Sequence, residues 1–207
     1  MGPRMAGRPR AAVSRVSAIV AACGLAGLLL ATGAAPAGAS AESVSAAKYS
    51  CTNPVNGTQI FTAAINAIPS ATSYKPGATT VSLTGFQVSL TIPASLISLA
   101  ETFGVSSVTG QVTTFDLAGT NVTPTLRNVA KGFTVPSTKL PKPAKAITVK
   151  FPTAPVTIKG WKAGTKAGTM TFRTGAVVLS IGDNIGDLLT VTCAPSPVAT
   201  IATSKVL

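Results

Sequence analysis

The chain of 207 residues is 46% hydrophobic and 11% charged, with 17 Lys and Arg against five acids and no His. That composition excludes a highly charged disordered chain and a large multidomain enzyme. The lack of His also removes the commonest general base near neutral pH and the commonest metal ligand.

Arg4, Arg8, Arg10 and Arg15 precede a mostly apolar run over residues 16–31 and a tail carrying Ala37-Gly38-Ala39 and Ala39-Ser40-Ala41. A positive start, an apolar middle and a small-residue cleavage site make a secretory signal peptide, here residues 1–41. The alternative, an uncleaved anchor, is disfavoured because the run falls short of the roughly 20 residues needed to span a bilayer. Val20-Ala21-Ala22-Cys23 also matches a lipoprotein cleavage box, but the strongest apolar stretch, residues 25–30, follows Cys23 instead of preceding it. No later run reaches spanning length, so the mature chain is expected outside the cell, secreted or wall-associated, without a transmembrane helix.

Residues 42–195 read as one secreted β domain and residues 196–207 as a ragged C-terminal tail. Tyr49 and Cys51 alternate in the first strand, as do Leu189, Val191 and Cys193 in the closing one. Alternation places each cysteine on its strand's apolar face. An even pair in an exported chain reads as a disulfide, so a buried Cys51–Cys193 bridge is expected to join the first and last strands. Between them Phe61, Ala63 and Ile65 alternate, then Val81 and Leu83, with a phase change at Gly85 to Phe86, Val88, Leu90 and Ile92. A glycine at a phase change predicts a bulge that keeps the apolar face continuous.

Leu96, Leu99, Ala100 and Phe103 have helical spacing, with Gly104 as terminator, which predicts one short helix at an end of the sheet. Residues 105–115 read as a weak strand. Ile147, Val149 and Phe151 form another, continued by Val156 and Ile158, and the phase changes again at Gly175 between Phe172 and Val177. Pro136, Pro141, Pro143, Pro152 and Pro155 confine the middle of the chain to an edge or long loop. Eight or so short Thr- and Val-rich strands predict an all-β fold, an immunoglobulin-like or related antiparallel β-sandwich.

Thirteen of the Lys and Arg and all five acids lie beyond the leader, a net charge of +8 there. Eight are Lys131, Lys139, Lys142, Lys145, Lys150, Lys159, Lys162 and Lys166, in a stretch without an acid. Such a segment either steers anionic polymers or membrane surfaces to the protein or serves as a solvated edge that blocks sheet aggregation. With few aromatics and no Arg within it, it does not suit specific nucleic-acid readout. Trp161, between Gly160 and Lys162, reads either as an exposed aromatic contact or as a cap on the core.

Catalytic equipment is sparse. Ser45-Ala46-Ala47-Lys48 has the serine–lysine spacing of penicillin-recognising enzymes but lacks their later motifs. Asp183 and Asp187 around Asn184 and Gly186 read as an ordinary turn, with a weak calcium site or a carboxylate pair as alternatives. Asn56-Gly57-Thr58 and Asn121-Val122-Thr123 match glycosylation acceptors, a short pattern that often arises by chance. No cofactor is expected.

Taken together, Tyr49-Ser50-Cys51, the Ile92-Pro93 boundary before a short helix, Gly175-Ala176 with Val178, and the closing run from Gly182-Asp183-Asn184 through Gly186-Asp187-Leu188 and Val191 to Cys193 resemble a family of secreted actinobacterial domains. The resemblance spans about residues 46–195. It implies an exported actinobacterial protein with paired cysteines and no assigned reaction. The likeness to immunoglobulin domains is architectural and does not set function.

The expected role is therefore non-enzymatic: a structural, adhesive or binding domain of the cell envelope, whose lysine segment contacts an anionic wall polymer or another envelope protein. Two alternatives remain. One is a hydrolase built on Asp183 and Asp187. The other is a carrier of a small hydrophobic ligand, which requires a cavity that a filled core would exclude.

Overall fold

A computed structural model describes residues 44–130 apart from 54–56, and 132–207 apart from 185–187. The expected signal peptide with Cys23, and also Asn56, Lys131 and Asp187, lie outside the described residues. The elements follow in the order β1 (Val44–Asn53), β2 (Gly57–Pro69), β3 (Ser73–Tyr74), β4 (Val81–Ile92), α1 (Ala94–Thr102), β5 (Ser107–Thr120), β6 (Val122–Thr123), β7 (Leu126–Asn128), β8 (Phe133–Lys139), β9 (Ile147–Ala163), β10 (Gly168–Asp183), β11 (Leu188–Pro195) and β12 (Thr200–Val206). Among the described residues the fold is all-β with one short helix.

β10 is the hub of the sheet. β5 pairs along one side of it over residues 171–183, while β12 and β11 share the other side over residues 168–173 and 177–182. From β11 the path runs through β1, β2 and β4 to β9, and β7 and β8 pair with β5. β8 then lies beside β9 without a ladder joining them. The sheet therefore curls over, and its inner faces meet in a sandwich-like arrangement. Phe86 of β4 packs edge-on to Phe115 of β5 at 5.6 Å and stacks with Phe133 of β8 at 6.0 Å. Phe151 of β9 meets Phe115 at 6.3 Å.

The glycine phase changes act as expected. Gly85 has φ +64° and the β4 register slips between Leu83 and Phe86, so both side chains face inward and are fully buried. The β5–β10 register slips between Thr174 and Val177, across Gly175, which carries the apolar face from Phe172 to Val177. Segments that read as separate short strands thus merge into long bent ones. Another glycine is needed for close approach: a Cβ on Gly110 would lie 2.6 Å from the Ser180 carbonyl oxygen. Gly110→Ala is expected to cost about 1–3 kcal/mol through this overlap, read as a lower urea midpoint at unchanged slope. An unchanged midpoint would show that β5 and β10 can separate freely.

Cys51 and Cys193 face each other directly in the β1–β11 ladder, bonded at 2.05 Å and 2–3% exposed. The bridge joins the first strand to the penultimate one, because the chain end is not a ragged tail. Thr200–Val206 forms β12, antiparallel to β10 and parallel to β3, with Ile201 only 1% exposed. The parallel pair makes the sheet mixed instead of purely antiparallel. Burial of Ile201, Ala202 and Val206 against the main core is what holds this end in place.

Two hydrophobic clusters result. The larger fills the curled sheet. The smaller, centred on Ile97, Val105 and Leu140, lies under α1.

Candidate functional site

α1 is set by its neighbours in the chain. Pro93, which has no N–H for a ladder, ends β4 and offers its carbonyl to the N–H groups of Leu96 and Ile97 at 3.1 and 3.3 Å. At the far end Gly104 takes φ +77°, and Val105 and Gly104 donate to the Ala100 and Glu101 carbonyls, both at 3.0 Å. That double bond pattern is a Schellman stop. The hydrophobic contact that usually accompanies it is made by Val105 and Ala100, both in the smaller cluster. The helix is thereby fixed across one end of the curled sheet. At this end Asn53 pairs with Gly57, Ile92 with Ile147, Lys139 with Ser107, and Gly182 with Leu188.

Between the two clusters is a cavity of about 640 Å³. Its floor is the main-core face of the disulfide strands and their neighbours, including Cys51, Cys193, Ala63, Leu179 and Val191. Its roof is α1, through Leu96, Leu99, Ala100 and Phe103. The helical stripe expected from spacing therefore lines a space, and Ile97 both lines it and belongs to the smaller cluster. Leu90, Ile92, Ile181 and Leu189, all on the wall, are only half-buried, and Phe103 is 62% exposed.

Ionisable groups in the lining are few. Asp183 is half-buried at the end of β10. Tyr49 contributes its side chain to the wall. Burial pushes its phenol above the ordinary value of 10, and the Thr174 hydroxyl offsets only part of that rise. The phenol therefore stays neutral across physiological pH. An apolar chamber with, among the described residues, a single carboxylate and a neutral phenol suits shape-based binding of an apolar molecule.

The residues singled out from the sequence are not gathered into one site. Lys139, Lys142, Lys145, Lys150, Lys159, Lys162 and Lys166 are all exposed, but they do not form one patch. Lys139, Lys142 and Lys145 lie at the α1 end, at the close of β8 and in the connection to β9. Lys159, Lys162 and Lys166 lie at the far end of β9 and in the turn after it. β9 is 17 residues long, roughly 50 Å of extended chain, several Debye lengths at physiological salt. The two groups act on separate surroundings.

Trp161 is 1% exposed and is not a surface contact. The register slips between Val81 and Ser82, which turns Trp161 inward between the exposed Lys159 and Lys162. Its ring meets Phe172 edge-on at 5.1 Å under the Arg127 guanidinium at 5.3 Å.

Ser45 and Lys48 are three apart on β1, so they point to opposite faces of the sheet. The Ser45 hydroxyl donates to the Thr200 carbonyl at 3.0 Å, and no serine–lysine pair is assembled. Asn184 Oδ1 accepts the N–H groups of Ser106 and Ser107 at 2.7 and 3.1 Å. Its oxygen ties the β10 turn to the start of β5. Among the described residues no group of three or more Asp, Glu, Cys or His converges as a metal site, and no helix is long and apolar enough to cross a membrane. Asn121, at φ 55°, donates its side-chain amide to the Lys166 carbonyl at 3.0 Å.

The cavity itself was not legible as a site. Ala63, Leu179 and Val191 carry the same alternation whether they fill a core or wall a chamber. Comparison with known protein families, with curated proteins and with solved structures finds no match to this chain.

Proposed function

We propose that this chain is a non-enzymatic, exported binding domain that carries one small apolar ligand in the chamber under α1. The supporting observation is the chamber itself. Its volume, about 640 Å³, falls within the range of about 300–1,000 Å³ usual for small-molecule sites. Water is a poor occupant of an apolar space that offers it few hydrogen-bond partners. An apolar molecule suits it better. Each methylene leaving water contributes about 0.8 kcal/mol, so roughly ten of them offset the several kcal/mol of freedom lost on binding.

Two small lining residues allow a direct test. Ala63 on the floor and Ala100 in the roof face the chamber, and a ring at either position occupies it. A neutral apolar fluorophore should bind the parent protein once per chain. Ala100→Phe should weaken that binding by about tenfold or more at an unchanged denaturation midpoint, and Ala63→Phe, at a position only 1% exposed, should weaken it as much with a midpoint lowered by overpacking. Undiminished probe affinity in both variants would rule the chamber out as the binding site.

A further inference from the structure

We infer that the α1 end of the molecule docks on an anionic lipid bilayer, so that the mouth of the chamber opens onto the membrane from which its ligand is drawn. The ligand clause rests on the carrier reading above; the docking surface stands on its own observations. The first is Phe103, 62% exposed at the last turn of α1 and yet part of the chamber lining. An exposed aromatic ring at the lip of an apolar chamber is placed to enter the interfacial layer of a bilayer. The second is charge. Lys139 closes β8 opposite Ser107, and Lys142 and Lys145 follow in the connection whose Leu140 and Ala144 pack into the cluster under α1. All three are exposed, whereas Glu101 and Asp183 at the same end are half-buried.

Lysines beside an exposed apolar ring suit a surface that is both anionic and greasy. A soluble anionic polymer satisfies the charges but has no apolar phase to receive Phe103. A lipid surface satisfies both, and it also supplies acyl chains to the chamber.

The test compares flotation with vesicles of phosphatidylglycerol and phosphatidylcholine against pure phosphatidylcholine, every variant being made in the same full oxidised chain. The parent should favour the anionic vesicles, and 1 M salt should erase most of the preference by shortening the Debye length to about 3 Å. Lys139→Gln, Lys142→Gln and Lys145→Gln should each weaken that binding about fivefold. Phe103→Ser should weaken binding to both vesicle types, whereas the three Lys→Gln changes, at residues outside the chamber lining, should leave uptake of the neutral probe in solution intact. Vesicle binding without probe uptake by the parent would support the docking surface and remove the carrier reading. Probe uptake without vesicle binding would overturn the docking surface alone. Three other results would also overturn it: vesicle binding unchanged by all four substitutions, equal binding to a soluble polyglycerol phosphate that Phe103→Ser leaves unaltered, or a self-associated dimer that Phe103→Ser dissolves.

Discussion

Replacing Cys51 and Cys193 together with Ala should lower the stability of the domain by about 4–5 kcal/mol. The two residues are 142 apart in sequence, so their bond closes nearly the whole described chain and removes much of the freedom of its unfolded state. The native state gains little geometry from the bond, because the β1–β11 ladder already sets Tyr49 opposite Pro195 and Thr52 opposite Thr192. The loss should therefore appear as a lower denaturant midpoint with a steeper slope, since the reduced unfolded chain exposes more surface. Against a typical net stability of about 5–15 kcal/mol, the reduced protein stays folded only in mild conditions. There it should still bind an apolar probe, as the sulfurs contribute wall and no hydrogen-bonding chemistry. A midpoint shift worth less than about 1 kcal/mol would mean that the unfolded chain is already compact.

The second large effect is at Trp161. Its side chain is among the largest that are fully buried, held between Phe172 and the Arg127 guanidinium. Arg127 is itself anchored by donating from an Nη to the Gly160 carbonyl at 2.8 Å. Trp161→Ala should cost about 3–5 kcal/mol by opening a cavity at the end of the core. Trp161→Phe separates size from polarity. The indole Nε1–H has no hydrogen-bond partner among the described residues, and an unsatisfied buried donor costs about 1–3 kcal/mol. Removing it offsets much of the lost volume, so Trp161→Phe should stay within about 1 kcal/mol of the parent. Equal losses in the two variants, measured by denaturant unfolding, would show that the indole nitrogen and not the ring bulk anchors this end.

These two sites also show how far local pattern reaches. The cysteine pairing was legible because period-two alternation, on both strands, puts each sulfur on an apolar face, and two such faces in one small domain have to meet. Gly85 and Gly175 were legible as bends because the apolar phase changes across each of them. Trp161 was ambiguous: its neighbours Gly160 and Lys162 suit an exposed hairpin, and only the slip against β4 turns the ring inward. β12 was missed because Thr-Ile-Ala-Thr-Ser is weakly patterned and becomes a strand by lying against β10.

The chamber could not be read at all, for a physical reason. Leu96 and Leu99 in α1, and Leu179 and Val191 in the sheet, obey the rules for buried side chains. Whether opposing apolar faces touch or stand apart depends on where Pro93 and the Gly104 stop fix the helix above the disulfide strands. That separation is tertiary and leaves no periodic trace.

The most direct check on the central claim is the mass of the intact, oxidised protein recovered from its own host and weighed without denaturation. A carrier should arrive with one apolar molecule per chain, released by organic solvent and missing from Ala63→Phe and Ala100→Phe. The bare polypeptide mass for the parent protein, together with no uptake of added apolar probe, would contradict it.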